Sequence, residues 1–292
     1  MKRIVTCLVA GVLIAQLILA QSQAANPHFE VASVKPSGPQ DFEHCGGDGP
    51  SPARLIMRCN TVMSMIQAAY GSFALGVTPV VPKPLKITGG PGWINSDRYD
   101  IEAKPAGNVR MEQMMGPMLQ TLLEERFQLK THREARELPV YTLTVAKGGL
   151  KVQALKEACA PPDMAVMMAP PAPGQKPPNF CGSARTQRKG QTMILDLHAT
   201  SMTDLANRFS VSLDRTVIDK TGVEGIFDLH LEFGLDETTP GFPPPRGGPA
   251  ASDDAPGPSI FTAVQELGLK LESAKGPVEF LVIDRVEKPS GN

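Results

Sequence analysis

The chain has almost no net charge: 29 Lys and Arg stand against 30 Asp and Glu, a formal −1 at pH 7. That balance removes the electrostatic case for nucleic acid or an acidic membrane surface as partner. The short motifs that carry chemistry are missing too. There is no G-x-S-x-G elbow, S-x-x-K, H-E-x-x-H or Walker loop. The histidines (His28, His44, His132, His198, His230) are scattered, no two of them at metal-ligand spacing. A zinc site using His44 beside Cys45 lacks the paired C-x-x-C spacing that marks such sites. No catalytic set, cofactor or metal is assigned on this basis.

Long apolar runs are also missing, with one exception at the start. Lys2 and Arg3 precede an apolar run from Ile4 to Ala20, and Ser22-Gln23-Ala24 follows with small residues. This is the layout of a signal peptide over residues 1–24, cleaved after Ala24; the same run uncleaved would be a short membrane anchor. Losing Lys2 and Arg3 leaves a formal charge of −3 on an exported chain, periplasmic or secreted, with no membrane span after cleavage. Cys7 leaves with the segment, and Cys45, Cys59, Cys159 and Cys181 remain. Four cysteines in an exported chain suggest two disulfides with three possible connectivities. The local pairing, Cys45 with Cys59 and Cys159 with Cys181, is expected because each pair closes a Pro/Gly-rich loop with little core of its own.

Prolines mark the joints. Of 28, seven lie between Pro161 and Pro178 and seven between Pro240 and Pro258. Such stretches form neither ladders nor helices, so they read as a linker and a surface loop. Either side of the linker the chain rhymes. "RLIMRCNTVMSMIQAAYG" matches "TMILDLHATSMTDLANRFS", a strand, a cap (Asn60; Thr200 or Ser201) and a helix. One helix face is Val62, Met63, Ile66, Ala69 and Tyr70; the other is Met202, Leu205, Ala206, Phe209 and Leu213. Alternating strands follow, Tyr99-Ile101-Ala103 and Phe227-Leu229-Leu231-Phe233. Each half then closes with a helix, a strand (Phe127, Leu129; Leu269, Leu271), a charged turn, and a last strand opened by Pro139 or Pro277. The prediction is an α+β fold of two tandem similar β-α-β-β-α-β-β units, with mostly antiparallel sheets and two helices each. The first unit spans 27–155, a Pro-rich disulfide-bearing linker 156–190, and the second unit 191–289, with 236–258 a disordered loop.

Asp219-Lys220-Thr221-Gly222 spells the phosphorylation tetrapeptide of P-type ATPases. Here it stands where the first half has "TGGPG", a glycine turn feeding a strand, and Val223 replaces the Thr that the ATPase motif needs. It reads as a turn. Asp228 with His230, or Asp100 with Glu102, would be the residues of an unfamiliar hydrolase site, against the plainer reading of a solvated strand face. Glu124 and Glu125 lie on a solvated helix face. Met111, Met114, Met115 and Met118 have the spacing of a core-packing helix. Met164, Met167 and Met168 in the linker raise copper binding as a minor idea.

"FEVASVKPS", "GGPGWINSDRYDIEAKP", "MLQTLLEERFQLKTHREARELPVYTLTVAKGG", "RTVIDKTGVEGIFDLHLEF" and "SIFTAVQELGLKLESAKGPVEFLVIDRVEKP" resemble, in order and over nearly the whole mature chain, an exported family of unknown function. That family is expanded in soil Acidobacteria of the Solibacter type. The resemblance implies location and architecture and brings no catalytic residues. Some relatives look to be attached to BlaR-type membrane metallopeptidases, and the unit is similar in pattern to a docking domain of secretins and TonB-dependent receptors. The expectation is a non-enzymatic envelope binding module whose partner is an envelope protein or peptide. The alternatives are an extracytoplasmic hydrolase and a sensor partner of a BlaR-type peptidase.

Overall fold

The structure is a computed structural model and describes residues 27–38, 45, 51, 53–76, 81, 84–156, 158–163, 166–167, 180–242 and 257–290. Among the described residues it is a mixed α+β fold with ten strands in three mostly antiparallel sheets and four α-helices longer than a single turn. The signal segment expected over residues 1–24 lies outside the described residues.

The first sheet has the order β1-β4-β2, with β1 Val31–Pro36, β2 Leu55–Thr61 and β4 Arg98–Lys104. Helix α1, Val62–Ile66, continues as π-turns over Gln67–Ser72. Its cap is Thr61, one residue after the expected Asn60: the Thr61 hydroxyl accepts from Ser64 N–H at 3.1 Å. Helix α2, Leu119–Arg126, is preceded by a kinked π-turn at Met114–Met118 that contains Pro117. Met114 and Met118 are buried there, as their helical spacing predicted.

In the second half β6 Ala184–Lys189, β7 Thr192–Thr200 and β9 Phe227–Gly234 form the sheet β6-β7-β9. Strand β6 falls in the stretch read as linker. Helix α3, Met202–Ser212, starts at Ser201, whose hydroxyl accepts from Asp204 N–H at 3.0 Å. All five residues of its expected apolar face are buried. Helix α4 is Ile260–Glu266. Of the expected loop 236–258, residues 243–256 lie outside the described residues. Before them the chain is anchored: Gly241 N–H donates to Ser212 C=O at 3.0 Å, and Phe242 packs on Phe233 with ring centres 5.7 Å apart.

The third sheet joins the halves. Its order is β3-β10-β5-β8, with β3 Lys86–Gly89, β5 Lys130–Val145, β8 Val217–Asp219 and β10 Leu269–Arg285. Here the structure corrects the sequence reading. No charged turn divides the last strands of either half; β5 and β10 are each continuous and pair antiparallel from Leu269↔Val145 to Arg285↔Lys130. The prolines fit inside because of their phase. Tyr141 N–H donates to Thr216 of the β8 side, so odd-numbered residues of β5 point their amides away from β10. Pro139 shares that phase at a point β8 does not reach, and Pro277 sits likewise beyond β3, so neither removes a ladder bond.

This ribbon exchanges material between two cores. The first core, built from β1, β2, β4, α1 and α2, takes in Leu281, Ile283 and Val286 from the far end of β10 and its continuation. The second, built from β7, β9, α3 and α4, takes in Tyr141 and Leu143 from the far end of β5. Each half is thus closed by the other half's long strand.

Candidate functional site

The groups that the sequence nominates for chemistry are held in structural bonds. Asp219 accepts from Thr221 N–H (2.9 Å) and the Thr221 hydroxyl (2.8 Å) through Oδ1, and from the Thr203 hydroxyl (2.9 Å) through Oδ2. With Gly222 at φ +65° this is an Asx turn that ties the end of β8 to the start of α3. The ATPase-like tetrapeptide is a turn.

Asp100 and Asp228 share one job. In β2 a bulge between Met57 and Asn60 puts Cys59 at φ +55°; in β7 a bulge between Leu197 and Thr200 puts Ala199 at φ +48°. A bulged residue loses its ladder partner, so its amide needs another acceptor. Asp100 Oδ1 accepts from Cys59 N–H at 2.8 Å, and Asp228 Oδ1 accepts from Ala199 N–H at 3.0 Å. Asp100 also accepts from the Ser37 hydroxyl at 2.7 Å, and Asp228 pairs with His198 at 2.7 Å. Glu102 pairs with Arg54.

Asp228 and His230 therefore do not pair with each other. His230 Nδ1 meets Asp196 Oδ1 at 2.6 Å and its Nε2 meets Glu232 at 3.3 Å. The bond to Asp196 and the negative charge of both carboxylates raise the imidazole's pKa above its ordinary value. These groups lie on the outer face of the β6-β7-β9 sheet beside an open groove of about 460 Å³. The shorter of the two His230 bonds goes to Asp196, the residue directly opposite on β7. His132, in the stretch before Pro139 that reads as a charged turn, is exposed within β5 and pairs with Asp284 at 2.9 Å.

The cysteines pair locally, Cys45 with Cys59 and Cys159 with Cys181, with Cα atoms 5.3 and 5.1 Å apart. Among the described residues no group of three or more His, Cys, Asp or Glu could hold a metal. Met167 is exposed, while Met164 and Met168 lie outside the described residues.

A concavity that sequence reasoning did not place lies at the waist. Two grooves, of about 390 and 470 Å³, share Pro84 and Glu279 and run over the middle of the β5–β10 ribbon. The floor is Ala135, Pro277 and the ion pair Arg133–Glu279. One wall is the end of the π-turns with Tyr70, Leu75 and Leu85; the other is the first turns of α3 with Thr203, Ala206, Asn207 and Ser210. Burial raises the Tyr70 phenol well above its ordinary range, the charge of Glu124 and its bond act in the same direction, and a bond to Thr131 opposes them only in part, so the phenol stays neutral. Ser210 is occupied: its hydroxyl accepts from Val217 N–H at 2.7 Å and donates to Ala206 C=O at 2.8 Å. The cleft thus offers apolar walls, a few hydroxyl and amide groups, one ion pair on its floor and the hydrogen-bonded Asp219 carboxylate at its side, the composition of a binding groove. No sequence signal located it, because it exists only where the two strands cross between the halves.

Among the described residues no helix is long and apolar enough to cross a membrane. A family model described as "Protein of unknown function (DUF3738)" matches residues 64–286. No curated protein and no solved structure matches the chain.

Proposed function

Since the chain belongs to that family of unknown function, we propose that it is an exported binding module of the cell envelope whose waist cleft receives a peptide or protein segment. One observation carries the reading: the cleft combines apolar walls with sparse polar groups, while the acids nominated for catalysis are committed to bulges and turns. The N-terminal signal layout and two disulfides support a place outside the cytosol. The same reading takes the halves as copies of one unit. The paired bulges with their Asp acceptors support it, as does the positive φ shared by Gln128 after α2 and Gly268 after α4.

The test is a display of nine-residue peptides against residues 25–292 produced with both disulfides formed. Binders are then measured against Leu75→Asp and Thr203→Arg, exposed positions on opposite walls. Either change is expected to weaken a cleft binder at least tenfold. Selected peptides that bind both variants as well as wild type would place the site elsewhere and end this proposal.

A further inference from the structure

We propose that β6 is a docking edge that takes an extended acidic segment of a partner polypeptide as a fourth strand of the β6-β7-β9 sheet. The strand pairs with β7 through six consecutive residues, Ala184–Lys189, without a bulge, and it contains neither proline nor glycine. His198 N–H donates to Ser183 C=O at 2.9 Å. That phase gives Arg185, Gln187 and Lys189 the ladder bonds to β7 and turns the amides and carbonyls of Ala184 and Thr186 outward. Neither residue's outward groups meet a partner among the described residues.

The edges at β8, β1 and β9 are blunted. On β8, Val217 N–H is taken by Ser210; on β1, Ala32 C=O accepts from Arg126 at 3.1 Å and the strand ends at Pro36. Beside β9, Leu155 N–H donates to Ile226 C=O and Gly234 N–H to Pro258 C=O.

The charge on β6 selects the occupant. Arg185 and Lys189 are exposed, four residues apart on the outer face, and form no ion pair among the described residues. Cations on an edge repel a second copy of the same edge. The same cations favour a strand carrying acids at positions i and i+4, opposite Arg185 and Lys189. The peptide backbone would supply affinity through the outward groups of Ala184 and Thr186, and its acids would supply choice of partner.

The probe is a fluorescein-labelled peptide, Thr-Asp-Val-Thr-Val-Asp-Thr, with a control in which both acids are Lys. Anisotropy should show the acidic peptide binding at least tenfold more tightly than the control, and hydrogen exchange at Ala184 and Thr186 should slow on binding. Thr186→Pro removes an outward amide without touching the ladder to β7 and should cost at least tenfold. Arg185→Glu with Lys189→Glu should reverse the preference toward the Lys peptide. The proposal falls if the acidic peptide fails to bind wild type. It falls equally if both peptides bind alike, or if binding leaves exchange at Ala184 and Thr186 unchanged.

Discussion

Replacing Asp100 by Ala tests whether a carboxylate holds each bulge. The change removes the acceptor of two bonds, from Cys59 N–H at 2.8 Å and from the Ser37 hydroxyl at 2.7 Å. Ser37 can turn to water. Cys59 cannot do so easily: it is 4 % exposed, and its amide points where the carboxylate was. An orphaned buried amide costs about 1–3 kcal/mol, and bonds to an ionised acceptor are worth more than neutral ones. With the αL strain at Cys59 no longer offset, the expected loss is about 2–3 kcal/mol, or ~4–5 °C in Tm for a chain of this size. Asp228 holds Ala199, itself 1 % exposed, in the same way, but the Asp228 side chain is 55 % exposed, so water can enter the place the carboxylate leaves and replace much of what Asp228→Ala removes. The expected loss there is about 1 kcal/mol. Asp100→Asn keeps a carbonyl acceptor and should lose less than half of what Ala loses. Urea unfolding by circular dichroism measures all three as shifts of midpoint at unchanged slope. If Asp100→Ala stays within about 0.5 kcal/mol of wild type, or Asn costs as much as Ala, the bulge argument is wrong.

Three further outcomes follow from other contacts. A methyl group on Gly116 would lie 1.8 Å from Phe73 C=O, in the kink before α2, so Gly116→Ala should cost about 3 kcal/mol or more, read by thermal melting; an unchanged Tm would mean the kink is not needed. Opening Cys159–Cys181 with paired Ser substitutions frees a 22-residue separation and should cost about 3 kcal/mol in denaturant titration, and a change near zero would remove the bridge from the stability account. By NMR, His230 should titrate above the ordinary histidine value, and Asp196→Asn should lower its midpoint. A His with a raised folded pKa adds stability below its unfolded pKa, and that contribution fades as pH rises through the folded value. A midpoint at or below the ordinary value would contradict the Asp196 contact.

Elements with one wet and one dry face were legible in the sequence. Tyr99-Ile101-Ala103 and Phe227 to Phe233 alternate cleanly because only one side of each strand meets the core. The middle of β5 was not, since Arg133, Glu134, Arg136 and Glu137 leave both faces in water where the ribbon crosses between cores. Without a buried face there is no period to read, and Pro139 then suggests a boundary. Strand β6 escaped for the same reason: all six of its side chains are exposed. The shared job of Asp100 and Asp228 had one visible sign, an aromatic–Asp pair at the same place in each half, Tyr99-Asp100 and Phe227-Asp228. The bulges that give those pairs their meaning arise from strand pairing and leave no local mark.

The exchange of strand ends has a consequence for biosynthesis. His132 meets Asp284, 152 positions away, at the ribbon's extremity, so the first core stays open until distant residues have emerged. Such late completion makes folding slow and leaves apolar surface uncovered meanwhile. If the chain is exported as proposed, this delay would be an advantage: a chain that folds late stays threadable in the cytosol, and holdase chaperones have something to grip.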